Sequence, residues 1–278
     1  MRRGRGRLDR VLGPMLATMV LTGPTPDVAA ELKPETIQAW NRYVAATEAR
    51  IDRELGASHG FLALDFEPGS DAIRQRLLRG ELVVSQMDTD NEAGKGIAAA
   101  GGTPQQWRGA VFLPGLRLEE LLARLQNPSE AGPHQEDVLA LKVLAREPDH
   151  VSLFIKMTRK AVVRVTYNTF HDARYRRHGS TRASSRSVAT KIAELEDPNT
   201  PQEREKPEGH DHGFLWRLNS YWRYEEVPGG VIVECESLTL SRSVPWGFGT
   251  LLGPVIRGIA RESMSRTLNF LRQSKGYA

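Results

Sequence analysis

Residues 214–224 read FLWRLNSYWRY, and residues 231–243 read VIVECESLTLSRS. In both stretches the side chains alternate in character from one residue to the next, which is the period of a β-strand. The intervening Pro228, Gly229 and Gly230 are turn residues, so we predict two long antiparallel strands joined by a tight turn. One face of the first strand carries Phe214, Trp216, Leu218, Ser220, Trp222 and Tyr224, and the other carries Leu215, Arg217, Asn219, Tyr221 and Arg223.

The second strand also divides its residues between two faces. One face carries Val231, Val233, Cys235, Ser237 and Thr239, and the other carries Ile232, Glu234, Glu236, Leu238, Leu240 and Arg242. Pairing of the two strands can place opposite charges across from one another. Because the other face of the first strand is aromatic, we predict that the aromatic face points inward. The charged faces then point outward, where each ion pair contributes only roughly a few tenths of a kcal/mol.

The chain ends in a helical segment over residues 249–273. Apolar residues form a stripe at helical spacing, and it consists of Leu252, Ile256, Ile259 and Leu271. Small residues lie near the centre of the helix, namely Gly258, Ala260, Ser263 and Ser265. Two interpretations stay open here, because small residues can keep a cavity open between a helix and a sheet or can let the two pack closely.

Upstream of this helix the sequence has the period of β-structure. Candidate strands cover residues 107–113, 138–144, 151–158, 161–169 and 181–195, with a short helix at 118–125 and a hairpin break at 159–160. A polar, proline-containing segment at about 196–212 is predicted to be an exposed loop. Strands in a row followed by one long helix predict an α+β fold, in which a curved antiparallel β-sheet grips the C-terminal helix.

An N-terminal extension precedes these strands. Residues 33–55 repeat apolar side chains at helical spacing, and residues 71–79 form a shorter helix. We therefore divide the chain into a leader at 1–30, an N-terminal helical extension at 31–80 and a main domain at 81–278.

The leader has the order of a secretory signal peptide. Five arginines in residues 2–10 precede an apolar run over 11–21, and residues 28–30 are the small residues that a signal peptidase recognises. The apolar run is shorter than the roughly 20 residues needed to cross a bilayer. We predict export to the periplasm or the extracellular space, and the alternative is a basic, disordered N-terminus.

The positive charge of the chain lies mainly in this leader. The formal net charge is +4, from 38 Lys+Arg and 34 Asp+Glu. Removing residues 1–30 takes away five Arg and two Asp and leaves 33 basic and 32 acidic side chains. We therefore predict no nucleic-acid partner. One basic stretch remains, for which we favour a solvated surface and keep peripheral contact with anionic lipid head groups, or contact with nucleic acid, as the alternative: Arg174, Arg176, Arg177, Arg182 and Arg186.

The order of these elements resembles that of the START-like superfamily, the helix-grip fold of START lipid-transfer domains, Bet v 1-type plant allergens and bacterial polyketide cyclases. The resemblance is carried by residues 107–115 (WRGAVFLPG), residues 214–224 and residues 238–245 (LTLSRSVP), none of which is a catalytic signature. It implies a hydrophobic cavity beneath the C-terminal helix that binds lipids, sterols or polyketide-like molecules, without a metal or nucleotide. The fold alone does not define the function.

Our first hypothesis is an exported, non-catalytic protein that holds a lipid-like molecule between the sheet and the C-terminal helix. The predicted ligand-binding residues are Trp216, Leu218, Trp222, Tyr224, Ile256, Ile259 and Ser263. The alternative is an enzyme of the polyketide cyclase or hydrolase kind, which needs a polar patch inside the cavity. Its candidate residues are Tyr221, Arg223, Glu234 and Arg242. A third hypothesis, a structural or interaction protein, applies if side chains fill the cavity.

The histidine and cysteine patterns do not indicate metal or thiol chemistry. His210, Asp211 and His212 resemble part of a metal site, but a zinc site needs three or four rigidly held ligands, so we predict surface histidines. Cys235 is the single cysteine and lies between two glutamates, whose negative charges are expected to raise the pKa of its thiol. We predict a buried structural cysteine, no metal, no catalytic residue and no cofactor.

Overall fold

The computed structural model describes residues 32–87, 101–131, 134–160, 164–207, 209–243 and 249–274, so the predicted leader lies outside the described residues. The side chains of residues 160, 249–257 and 274 are also outside the description. In chain order the elements are α1 (Pro34–Leu55), a 3₁₀ turn (Ala63–Phe66), α2 (Ser70–Leu78), β1 (Val83–Gln86), β2 (Gly102–Pro114), α3 (Leu118–Gln126), β3 (Val138–Glu147), β4 (His150–Lys160), β5 (Arg164–Arg177), β6 (Arg182–Glu196), β7 (Arg204–Glu205), β8 (Arg217–Val227), β9 (Gly230–Arg242) and α4 (Gly249–Ser274).

The described strands form one antiparallel sheet. Its order is β1-β2-β9-β8-β6-β5-β4-β3, and the short β7 pairs with the end of β6. β8 and β9 form the predicted hairpin, in which Val227 pairs with Gly230 and Gly229 has a φ of 90°, a conformation that favours glycine. The predicted α+β fold, a curved antiparallel sheet that grips a long C-terminal helix, is confirmed. Of the helices described, none is long and apolar enough to cross a membrane.

α4 lies against one face of the sheet, which is termed the cavity face. Met264 and Leu268 are buried there in an apolar cluster that includes Trp107 and Val233. Beneath them lies Gly109, where a Cβ atom would come within 2.5 Å of Leu268 Cδ1 and 2.6 Å of Met264 Cγ. A glycine at this position lets the helix approach the strand closely. The half of α4 that contains Met264 and Leu268 therefore packs closely against the sheet.

The N-terminal extension covers the opposite face of the sheet, which is termed the covered face. The cluster between α1 and the sheet includes Trp40, Tyr43 and Ile51 of the helix together with Trp216, Tyr221, Leu238 and Leu240. Under the 3₁₀ turn and α2 they are Phe61, Leu62, Leu64, Leu77, Ala110, Phe112 and Ile232. β2, β8 and β9 are thus covered on both faces, which explains why almost every residue of β2 is buried.

Several strand boundaries differ from the sequence expectation, since β2 begins at Gly102, β3 ends at Glu147 and β5 continues to Arg177. The predicted hairpin break at 159–160 is wrong, because β4 continues through Lys160 and both residues pair in register with β5. β8 begins at Arg217, so residues 214–216 precede the strand. The segment predicted as an exposed loop at 196–212 contains β7, which pairs with the end of β6.

Candidate ligand-binding site

A cavity of about 510 Å³ lies between α4 and the cavity face of the sheet. The β8–β9 hairpin contributes Leu218, Ser220, Trp222, Cys235, Ser237 and Thr239 to its lining. Residues of β2, β4, β5 and α4 complete the walls, together with the segments 212–215 and 241–243. Aromatic, aliphatic and small hydroxyl side chains form most of this lining, and among the described residues no carboxylate belongs to it.

Four of the predicted ligand-binding residues line this cavity, namely Leu218, Trp222, Ile259 and Ser263. Their role in binding stays a prediction. The side chain of Ile256 lies outside the described part of α4.

Trp216 lies on the other side of the sheet. It precedes β8, so the alternation of the strand does not extend to it, and its side chain packs with Trp40 and Tyr43 beneath α1. Its Nε1 donates a hydrogen bond to Asp211 Oδ1 at 3.2 Å. The predicted position of Trp216 on the cavity wall is therefore wrong.

Tyr224 is buried next to the cavity lining. Its ring stacks on Trp222 with the ring centroids 6.5 Å apart, and its hydroxyl lies 3.0 Å from Ser185 Oγ. It belongs to the apolar cluster that also holds Val233 and Leu268. Tyr224 therefore packs beside Trp222 on the same face of β8 and lies outside the cavity lining, so its predicted place in the lining is wrong.

One end of the cavity is polar and is organised by Arg159. Its guanidinium forms an ion pair with Asp137 and donates from Nη2 to Ser263 Oγ at 3.2 Å. Burial lowers the pKa of Arg159, and the charge of Asp137 opposes that change. Because Arg159 belongs to β4 and Ser263 to α4, this contact joins the sheet to the helix.

Glu194 of β6 holds the segment 212–215 in place. Its carboxylate accepts a hydrogen bond from Lys206 Nζ at 2.6 Å and from the backbone N–H of His212 at 3.0 Å. His212 Nδ1 lies 2.5 Å from Glu194 Oε1, and the ring stacks on Phe214. His210 is exposed, and within the described ranges no group of three or more His, Cys, Asp or Glu residues could hold a metal ion.

Tyr167 of β5 lines the cavity, although no feature of the sequence singled it out. The residue is 2% exposed, and its hydroxyl has no hydrogen-bond partner among the described residues. Burial raises the pKa of this phenol well above its usual value, Glu194 and Asp211 raise it further, and Arg159 opposes them. The phenol is therefore protonated and able to donate a hydrogen bond.

The charged residues of the hairpin lie on the covered face. Glu234 accepts hydrogen bonds from the backbone N–H groups of Ala63 at 2.5 Å and Leu64 at 3.0 Å. Arg223 donates to the carbonyl oxygen of Phe61 at 2.9 Å. Glu234 and Arg223 are 1% and 3% exposed, so the expectation of solvent-exposed ion pairs is wrong, because the extension covers them.

Three of the four candidate residues for an enzyme therefore lie away from the cavity. Tyr221 donates to Glu48 Oε1 of α1 at 2.8 Å, and Arg223 and Glu234 bond to the 3₁₀ region. Burial raises the pKa of Glu234 to about 7, against the opposing charge of Arg223. Arg242 is the member of this group that lines the cavity.

No family model matches this chain, and no curated protein matches it. Among solved structures, TTHA0849 from Thermus thermophilus is 16% identical, has a TM-score of 0.43 and covers 60% of this chain and 93% of that one. Human StAR-related lipid transfer protein 5 is 14% identical, has a TM-score of 0.40 and covers 86% of this chain and 97% of that one. A fragment of the STAR-related lipid transfer protein from Xanthomonas axonopodis is 14% identical, has a TM-score of 0.37 and covers 66% of this chain and 98% of that one.

The element order and sheet order described above define a helix-grip fold, in which an antiparallel sheet grips a long C-terminal helix. Because the identities and TM-scores of the comparisons are low, the function is inferred from the cavity of this chain alone.

Proposed function

We propose that this chain is a non-catalytic protein that binds a hydrophobic, lipid-like small molecule between the sheet and α4. The observation that carries the proposal is the cavity of about 510 Å³ with its mainly apolar lining. Ligand pockets in proteins typically measure roughly 300–1,000 Å³ and combine apolar walls with a few polar groups. Trp107, Met157, Leu218 and Trp222 supply such walls, and Arg159 lies at a polar end.

The composition of the lining favours binding over catalysis. An enzyme of the cyclase or hydrolase kind, the alternative function, needs paired acid and base groups that reach the substrate. Tyr221, Arg223 and Glu234 bond to the extension on the covered face. Arg242 remains at the cavity, where the described lining offers no carboxylate to act with it.

Binding can be tested with the purified chain and with diphenylhexatriene, a hydrocarbon that fluoresces when it leaves water. We expect saturable binding of one molecule per chain. Native mass spectrometry of the protein isolated from its own cells is expected to show an added mass that organic extraction removes. The absence of both saturable probe binding and an extractable ligand overturns the proposal.

A matched pair of variants locates the binding site. Thr239→Phe adds a large side chain to the cavity lining, whereas Thr190→Phe makes the same change at an exposed position of β6. We expect Thr239→Phe to weaken diphenylhexatriene binding at least about tenfold, since overfilled space excludes the probe. Thr190→Phe is expected to bind like the wild type, and equal loss in both variants contradicts a site in the cavity.

We also propose that the protein is exported, a proposal that the order of basic, apolar and small residues in the leader supports. Cell fractionation with N-terminal sequencing is expected to find a chain that begins at Glu31 outside the cytoplasmic membrane. Leu16→Arg, which places a charge in the apolar run, is expected to retain the uncleaved chain in the cell. Recovery of wild-type chain with an intact N-terminus in the cytoplasm contradicts export.

A further inference from the structure

Tyr167 differs from the other described tyrosines, which are buried or half-buried, in the bonding of its hydroxyl. Four hydroxyls bond within the protein: Tyr43 to Gln106, Tyr175 to the carbonyl oxygen of Leu125, Tyr221 to Glu48 and Tyr224 to Ser185. The hydroxyl of Tyr167 has no hydrogen-bond partner among the described residues, although the residue is 2% exposed and lines the cavity.

A buried hydroxyl without a partner destabilises a protein, because it loses its hydrogen bonds to water and gains none in return. Phenylalanine would fill the same space without that loss. Without a bound molecule, the hydroxyl of Tyr167 therefore lowers the stability of the protein. Tyr167 lines the cavity, and its hydroxyl is closed to water in the empty protein, so a molecule bound there can supply the missing acceptor with a small movement of the phenol.

The surrounding charges indicate what kind of acceptor fits. Arg159 is already bonded to Asp137 and Ser263, and Lys206 is bonded to Glu194. Glu194 is buried and acts on the Tyr167 phenol electrostatically, as does Asp211. No described carboxylate lines the cavity, but an anionic head group next to Tyr167 would lie within range of the charges of Glu194 and Asp211, whereas Arg159 and Lys206 already have partners.

We propose that Tyr167 is the hydrogen-bond donor that positions an uncharged oxygen acceptor, a hydroxyl or a carbonyl, on an otherwise apolar ligand. This assignment rests on the proposed function and narrows its ligand class to neutral amphipathic molecules, with the polar atom at the β4–β5 end of the cavity. Tyr167 is then a residue that determines specificity.

The test compares Tyr167→Phe with the wild type in three measurements. Diphenylhexatriene contains no oxygen, so we expect its affinity to stay within about twofold. Displacement of this probe by dodecan-1-ol is expected to weaken about fivefold to tenfold, the range of one neutral hydrogen bond. Dodecanoate at pH 8 is expected to displace the probe less well than dodecan-1-ol from the wild type.

Tyr224→Phe is the matched control. It also removes one buried hydroxyl, but that group bonds to Ser185 and Tyr224 is not part of the lining. We expect Tyr224→Phe to lower the thermal midpoint and to leave the ratio of dodecan-1-ol to diphenylhexatriene affinity unchanged. Tyr167→Phe is expected to show the reverse, with an unchanged or higher midpoint and a reduced ratio.

The possible outcomes separate this assignment from the binding function. If the wild type binds neither diphenylhexatriene nor dodecan-1-ol, both the proposed function and this assignment fail. If both bind and Tyr167→Phe leaves their ratio unchanged, the assignment alone fails. Preferential binding of dodecanoate overturns the neutral ligand class, and a clear loss of thermal stability in Tyr167→Phe shows that the hydroxyl serves the fold.

Discussion

The cavity face and the covered face of the β8–β9 hairpin belong to the same two strands, yet they are completed in different ways. On the cavity face, Leu218, Trp222 and Thr239 border an internal space beneath α4. On the covered face, Arg223 and Glu234 bond directly to the N-terminal extension. The cavity face thus leaves space for a bound molecule. The polar groups of the covered face instead form their hydrogen bonds within the chain.

This comparison shows that the charged residues of the β8–β9 hairpin hold the N-terminal extension on the sheet. Glu236 receives a hydrogen bond from Gln106 at 2.6 Å and forms an ion pair with Arg50 of α1. Arg223 forms a second ion pair, with Glu54 of the same helix. Since buried charges must be paired to be tolerated, these contacts fix where α1 lies on the sheet.

The largest effect is expected from Arg223→Ala on the covered face. This change leaves Glu54 and the carbonyl oxygen of Phe61 without their buried partner, which costs about 3–5 kcal/mol of unfolding free energy. Arg217→Ala on the same strand removes a partly exposed arginine that bonds to a backbone carbonyl, and we expect a change below about 1 kcal/mol.

Urea denaturation measures both variants, and diphenylhexatriene titration of the folded protein shows whether the faces are separate. A large loss of probe affinity in Arg223→Ala, with the fold retained, contradicts the division of the hairpin into two faces.

The next effect is a pH dependence that comes from Glu234. Burial raises its folded-state pKa to about 7, from a usual value near 4.5. The folded protein therefore holds this proton where the unfolded chain has released it, so the unfolding free energy falls as pH rises from about 4.5 to 7 and then levels off. The difference is worth about 3 kcal/mol.

Glu234→Gln removes this titration. We expect the stability of the wild type relative to Glu234→Gln to decline over that pH range, as measured by urea denaturation at several pH values. A stability difference that rises with pH contradicts the raised pKa.

A smaller effect is expected on the cavity face, where α4 approaches Gly109. Gly109→Ala places a Cβ atom against Met264 and Leu268, and we expect a loss of about 1–3 kcal/mol. Because Met264 also lines the cavity, the affinity for diphenylhexatriene should change as well. Unchanged stability shows that the helix is held less closely than its contacts indicate.

The smallest effect, and one of opposite sign, is expected at Gly258 on the exposed side of α4. A Cβ atom there meets nothing within 4 Å, so Gly258→Ala relieves the entropic cost of a helical glycine. We expect a gain of about 0.5–1 kcal/mol in thermal or chemical denaturation. A loss of stability instead places a packing partner at this position.

The architecture could be predicted because it depends on local patterns. The alternation in residues 217–227 and 230–242, the turn between them and the helical spacing after residue 249 are all present in the sequence and give the hairpin and α4. The same alternation placed Leu218 and Trp222 correctly at the cavity. It failed for Trp216, because the strand begins one residue later and alternation holds only within a strand.

The remaining features depend on contacts between distant parts of the chain. In the sequence, Glu234 and Arg223 resemble surface charges. In the structure, the region of the 3₁₀ turn, about 170 positions away along the chain, covers them. Tyr167 reads as one aromatic residue in a strand, and its unusual environment arises from Arg159, Glu194 and Asp211 on other elements. Such environments have no local signature, so sequence patterns alone do not reveal them.

The position of Cys235 gives the cavity a chemical reporter of its own. It is the single cysteine of the chain, it lies in the cavity lining, and burial raises the pKa of its thiol. An uncharged reagent such as N-ethylmaleimide is therefore expected to label one site slowly and to label it more slowly when the cavity is filled. The rate of that reaction, followed by mass spectrometry, would measure occupancy for ligands that neither absorb nor fluoresce, and a rate that saturating ligand leaves unchanged would contradict this use.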